Sequence, residues 1–146
     1  MPTGGWHRTA PTIAVMTRSH RITYAGALLI ALVGLIHAFE VSDGFEDQAY
    51  VGVLFIANAL GSLVVACALI ARPRRRAVWA LGAAVAAGAF VGFILSRTTG
   101  LPSYHETDWD GIGLGSLAVE AGYLAVAARV LTYERPVRVV LARPVL

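Results

Sequence analysis

The chain contains no lysine, a single cysteine and few charges of either sign: 14% of its 146 residues are charged. Each scarcity excludes something. So small a charged fraction, beside 57% hydrophobic residues, is too apolar for a water-soluble domain. One cysteine, Cys67, leaves no intramolecular disulfide, and its apolar surroundings mark it as a small core residue. The lysine deficit fits a compositional bias of the coding sequence and carries no mechanism. HExxH and CxxC are absent, and Ser62, Ser96 and Ser116 lack a GxSxG context, so acyl and thiol catalysis have no support. GIGLG at 111–115 lacks the GK[ST] ending and the preceding strand of a phosphate loop, and reads as a flexible helix start. The net charge of +3 does not indicate nucleic acid, because the positive residues form short clusters without interleaved aromatics.

What the chain does have is an ordered distribution of arginine. Arg8, Arg18 and Arg21 precede the first apolar run, Arg72, Arg74, Arg75 and Arg76 separate the second from the third, and Arg129, Arg135, Arg138 and Arg143 lie at or beyond the end of the fourth. The other two connections are acidic: Glu40, Asp43, Glu46 and Asp47, then Glu106, Asp108 and Asp110, with Arg97 as the one exception. Cytoplasmic connections retain Arg and Lys, so the predicted topology is four crossings of a cell membrane with both termini cytoplasmic.

A hydrocarbon layer of about 30 Å needs about 20 helical residues, which leaves room for four spans and no separate soluble domain. The predicted spans cover about 22–40, 49–71, 77–96 and 112–131, inside a transmembrane domain of 21–133. Residues 1–20 read as a disordered basic tail, within which Met16 is an alternative start, and 134–146 as a cytoplasmic tail. The first run ends in IHAFE without a small-x-small cleavage site, so it reads as a retained span. Alternating ten-residue strands are missing, and lipid requires every backbone amide to find an internal partner. The expected fold class is therefore all-α, a polytopic four-helix bundle with up-down antiparallel connectivity, because the connections at 41–48 and 72–76 are short. GAFVG at 88–92, Gly111 with Gly115, and more loosely Ala57 with Gly61, have the small-xxx-small spacing that lets helices pack closely.

Glu120 points most directly to function. At about 1.5 Å per residue it lies roughly 13 Å below the outer end of its helix, near the bilayer centre. A carboxylate there must be paired or protonated, since exposing its charge to lipid costs about 3 kcal/mol on insertion scales. Asn58 has a matching depth on the second span, where it is either a neutral ligand beside Glu120 or a hydrogen-bond partner that would make Glu120 interhelical glue. His37 and Glu40 share a helix face one turn from the surface. Arg97 ends the third span, where it can meet Glu40, Glu120, a loop carboxylate, lipid phosphate or an entering anion. In the outer loop TTGLPSYHETDWDG at 98–111, Tyr104 and Trp109 are interface anchors that would hold His105 and Glu106 over the bundle mouth. Glu120, Asn58, His37, Glu40 and Arg97 form the candidate ligand or ion site. His37, Glu40, His105 and Glu106 form an alternative metal set, without a diagnostic spacing.

The segment SRTTGLP at 96–102, followed by His105-Glu106 and Trp109, together with Tyr50 and the GVLF of 52–55, resembles small uncharacterised four-span membrane proteins of actinobacteria. The resemblance covers about residues 21–131 and implies the fold, but no activity, substrate or cofactor. Three readings remain open. One is a non-enzymatic accessory or ligand-binding component, contacting lipid and a partner membrane protein or further copies of itself. Another is an oligomeric proton- or cation-coupled transporter using Glu120. The third is an outward-facing metal or redox protein.

Overall fold

The structure is a computed structural model that describes residues 11–133, and side chains from residue 20 onward; the expected 134–146 tail lies outside it. Five helices follow in order: α1 (Pro11–Phe39), α2 (Val41–Asp47), α3 (Ala49–Ala71), α4 (Arg76–Arg97) and α5 (Gly111–Tyr133). Four segments are long and apolar enough to cross a membrane: His20–Phe39, Ala49–Ala71, Arg76–Arg97 and Gly111–Tyr133. The fold is an all-α, four-span bundle, and among the described residues the only extended pairing is an isolated bridge between Leu101 and Tyr104. α1 packs on α3 and α5, and α4 packs on the same two helices, which closes the ring. Leu28, Leu35, Leu60, Leu63, Leu81 and Val91 are exposed on its perimeter, the face that a hydrocarbon solvent covers.

Two expectations about the chain's course are corrected. Residues 11–20 are helical and continue the first span, so the leader is not unstructured up to residue 20; residues 1–10 lie outside the described part. Proline is tolerated in a first helical turn, and a helix already nucleated by its span extends cheaply. The connection at 41–48 is also not a simple loop. It contains α2, which docks on α3 where Gly44 meets Phe55 and Gly52 meets Phe45. Gln48, extended at φ −153° and ψ 130°, separates α2 from α3.

At the basic end, Pro73 supplies no N–H and holds Arg72 out of helical geometry, so α3 stops at Ala71 and the chain reverses within a few residues. The Trp79 indole donates to the Pro73 carbonyl at 3.0 Å, and the Arg76 guanidinium donates to Leu131 O, tying α4 to the turn and to α5. At the acidic end, Asp110 caps α5 by accepting the Gly113 N–H at 2.7 Å. Gly100, at φ +79°, takes the left-handed position after α4 and donates to Leu95 O at 2.8 Å.

The bundle interior is asymmetric along its axis. Toward the basic end it is filled: Trp79 stacks on Tyr123 at 6.1 Å, and Ile30, Val33, Val65, Leu69, Ala86, Ala127 and Val130 complete a buried cluster. Glycines let these parts approach. A Cβ on Gly26 would overlap Trp79, one on Gly82 would overlap Tyr123, and one on Gly34 would lie 2.7 Å from the Ser62 Cβ. Gly61 makes an ordinary contact with Val85. Lipid removes most of the hydrophobic drive for helix association, so dispersion at such close contacts must hold the helices together.

Toward the acidic end the interior is hollow. Gly88, Gly92 and Gly111 line this space and, like Gly115, have nothing within 4 Å of an added Cβ, so neither GxxxG spacing is a helix-packing seam within the single chain. The spacing gives small residues a common helix face, but not a neighbour to fill it. Cys67 is exposed on α3 and does not belong to the core.

Candidate functional site

A cavity of about 940 Å³ occupies the acidic half of the bundle. α1, α3, α4 and α5 form its sides, and α2 with the 98–110 loop forms its rim. Ile36, Leu54, Phe55, Val85 and Phe93 give it apolar walls. It is large enough to hold many waters.

Glu120 is 1% exposed at the cavity floor. Ser116, one turn earlier on α5, donates to its Oε1 at 2.9 Å. His37 Nε2 approaches the same oxygen from α1 at 3.9 Å. His37 is buried, and its ring meets Phe55 of α3 edge-on at 5.4 Å. The His37 tautomer follows from its other nitrogen. Nδ1 lies 2.9 Å from the Val33 carbonyl, which can only accept, so Nδ1 carries hydrogen and Nε2 is left to face the carboxyl group. The second oxygen of Glu120, Oε2, is buried without a hydrogen-bond partner.

Asn58 lines the same cavity but is not bonded to Glu120. Its amide donates to Val85 O at 3.4 Å and its carbonyl accepts from Ser62 at 3.2 Å, joining α3 to α4. The interhelical polar contact to Glu120 instead comes from His37.

The rim is acidic. Glu40, Asp43, Asp47, Glu106 and Asp110 face the opening beside Arg97. Partial burial pushes the Glu40 carboxyl above its ordinary range, with repulsion from Asp43 and Asp110 adding to the shift and attraction to Arg97 opposing it. The Gly113 N–H holds Asp110 below its ordinary range, against a smaller effect of burial. Arg97 is held by the loop and is not paired with Glu40 or Glu120. It donates to Asp108 O at 3.0 Å, reaches Asp110 Oδ2 at 3.4 Å and lies 3.8 Å over the Phe93 ring. Its charge and donors organise the rim.

The loop itself folds onto the helix ends. Glu106 N–H donates to Ser96 O at 3.1 Å, Tyr50 donates to Pro102 O at 2.9 Å, and Trp109 meets Phe93 edge-on at 5.8 Å. Tyr104 is half-buried, and its hydroxyl is pushed above the ordinary tyrosine range by burial and by the nearby Asp47 and Glu106 carboxylates.

Glu120, Asn58, His37, Glu40 and Arg97 thus border one cavity. The alternative metal set is not assembled. Glu106 turns its Oε1 back to the Thr107 and Asp108 N–H groups, while His105 is exposed beside Gly100 and outside the cavity lining. Among the described residues no three His, Cys, Asp or Glu side chains converge as a metal ion requires. Sequence reasoning missed Ser116 and Ser62 as partners of Glu120 and Asn58. Their four-residue spacing was the available signal.

No protein-family model, curated protein or solved structure matches this chain.

Proposed function

We propose that the protein is a non-enzymatic, ligand-binding component of the cell membrane, with both termini cytoplasmic and a cavity that admits a small solute from the outer face. The observation carrying this reading is the buried Glu120, with one unpartnered oxygen, at the floor of a cavity bounded by every transmembrane helix. An intramembrane carboxyl group with its partner in a cavity is a functional site by default. The arginine clusters support this orientation, since cytoplasmic connections retain the excess of positive residues that 72–76 carries and the acidic rim lacks. The packed basic half backs the cavity and favours binding over passage through a single chain.

The test is a Cys67→Ser, Gly92→Cys protein in intact cells treated with a membrane-impermeant thiol reagent. Position 92 borders the cavity and has space for the new side chain. Labelling from outside is expected, while an Arg74→Cys control should react only in inverted vesicles. Failure of residue 92 to react from outside, or reaction of residue 74 in intact cells, would contradict the assignment.

A further inference from the structure

We propose that the cavity binds a lipophilic monocation and that its arrival displaces one proton from the Glu120–His37 pair. This deepens, and rests on, the ligand-binding reading. The charge at the opening comes first. Five carboxylates face it, and the guanidinium of Arg97 is engaged by Asp110 and Phe93, so the rim attracts cations and repels anions. At the floor Glu120 Oε2 is an acceptor without a partner, closed to solvent as the side chain stands, so a cation meets it only when the carboxyl group turns toward the cavity. Between rim and floor the walls are apolar, with Leu54, Phe55, Val85 and Phe93 exposed to the cavity.

Those three features select among cations. Calcium takes six or more oxygens, and no three candidate ligands converge here. A small monovalent ion would keep its water in a cavity of this volume and gain nothing from the apolar walls. A bulky organic cation is weakly hydrated, places its apolar body on those walls and brings its charge to Glu120. The site therefore suits an ammonium or phosphonium group carrying hydrocarbon substituents.

The proton balance follows from the His37 tautomer. Nδ1–H is committed to Val33 O, and because an uncompensated charge at this depth is costly, a neutral pair carries one further proton, on a Glu120 oxygen or on His37 Nε2. In both arrangements the pair is neutral. Binding a monocation as Glu120 carboxylate·cation expels that proton to the outer solution, leaves His37 neutral and keeps the deep site neutral. No bond to carbon forms or breaks. Asn58 and Ser62 on α3, Ser116 on α5 and the cavity face of α4 bring no titrating group to this depth. Tyr123, three residues beyond Glu120, is turned toward Gly82. The remaining charged groups are Glu40, Asp43, Asp47, Glu106, Asp110 and Arg97 at the rim.

Tetraphenylphosphonium tests this on purified protein in lipid nanodiscs, against tetraphenylborate, which shares its shape and reverses its charge. Expected results are saturable phosphonium binding, about one proton released per cation in weakly buffered solution, and an affinity that rises by up to about tenfold per pH unit, as single-proton linkage requires. Glu120→Gln should abolish both saturable binding and proton release while residue 92, as cysteine, still labels from outside. Gly88→Leu, which fills the cavity without touching the carboxyl, should weaken binding at least about tenfold, the equivalent of about 1.4 kcal/mol. Equal binding by tetraphenylborate, unchanged binding by either variant, or binding without proton release would overturn the proposal. Absent phosphonium binding in a protein whose residue 92 labels from outside refutes the cation assignment alone. Absent labelling refutes the ligand-binding reading beneath it.

Discussion

Two alanine substitutions ten residues apart on α4 should have opposite effects on stability. In a helix interior, glycine is about 1 kcal/mol less favourable than alanine, so both replacements begin with the same gain. At Gly92 nothing lies within 4 Å of the new methyl group, and Gly92→Ala should stabilise by up to about 1 kcal/mol. At Gly82 the methyl group meets the Tyr123 hydroxyl and lies 2.8 Å from Val65 Cγ1. Tyr123 has little freedom to retreat, because its ring stacks on Trp79, whose indole is bonded to Pro73 O. Overpacking costs about 1–3 kcal/mol, and the restricted neighbours place this site toward the upper end. Subtracting the helix gain leaves Gly82→Ala destabilised by about 1–2 kcal/mol, or roughly 2–3 kcal/mol below Gly92→Ala. Unfolding in mixed micelles with increasing sodium dodecyl sulfate, followed by tryptophan fluorescence, measures that separation. Two alanine variants of equal stability would refute a bundle filled at one end and hollow at the other.

The rim makes two further tests available. Asp110→Ala should cost about 1 kcal/mol through loss of the α5 cap. The native fold holds the Asp110 proton less tightly than the unfolded chain does, so its stabilisation is present above the unfolded value and disappears as pH falls through the folded one. Thermal unfolding of wild type and Asp110→Ala should accordingly converge in acid. Glu40 has the opposite sign: its raised value means that stability is lost as pH rises from the unfolded value through the folded one. Glu40→Gln should therefore unfold at a higher temperature than wild type at neutral pH and at the same temperature in acid; a lower temperature at neutral pH would contradict the placement of Glu40 at a partly buried acidic rim.

The spans were legible because lipid imposes a length and a polarity that the sequence displays directly. Glu120 was legible for the same reason, as a carboxyl group in the middle of an apolar helix. Its partner was not. Asn58 matches it in depth, but depth fixes only one coordinate, and rotation about α3 directs Asn58 to Val85 and Ser62. His37 was read as lying one turn from the surface beside Glu40, and its contact with Glu120 depends on how α1 and α5 pack, which the sequence of either helix does not display. The glycine spacings identify faces with equal clarity at 82, 88 and 92, yet a face does not reveal whether a tyrosine or an open space opposes it. Packing of that kind depends on all four helices at once. Arg97 was recognisable as an exception to the charge pattern, but its attachment to Asp108 O and Asp110 required the fold of the loop.

Water in the interior tests the central claim most directly. Nitroxide labels placed singly at Gly88, on the cavity wall, and at Leu60, on the lipid-facing side of α3, lie at comparable distances from the acidic ends of their helices. Electron spin echo modulation in deuterated water should be strong at residue 88 and weak at residue 60. Equal, weak modulation at both would contradict an open, hydrated cavity in the acidic half of the bundle.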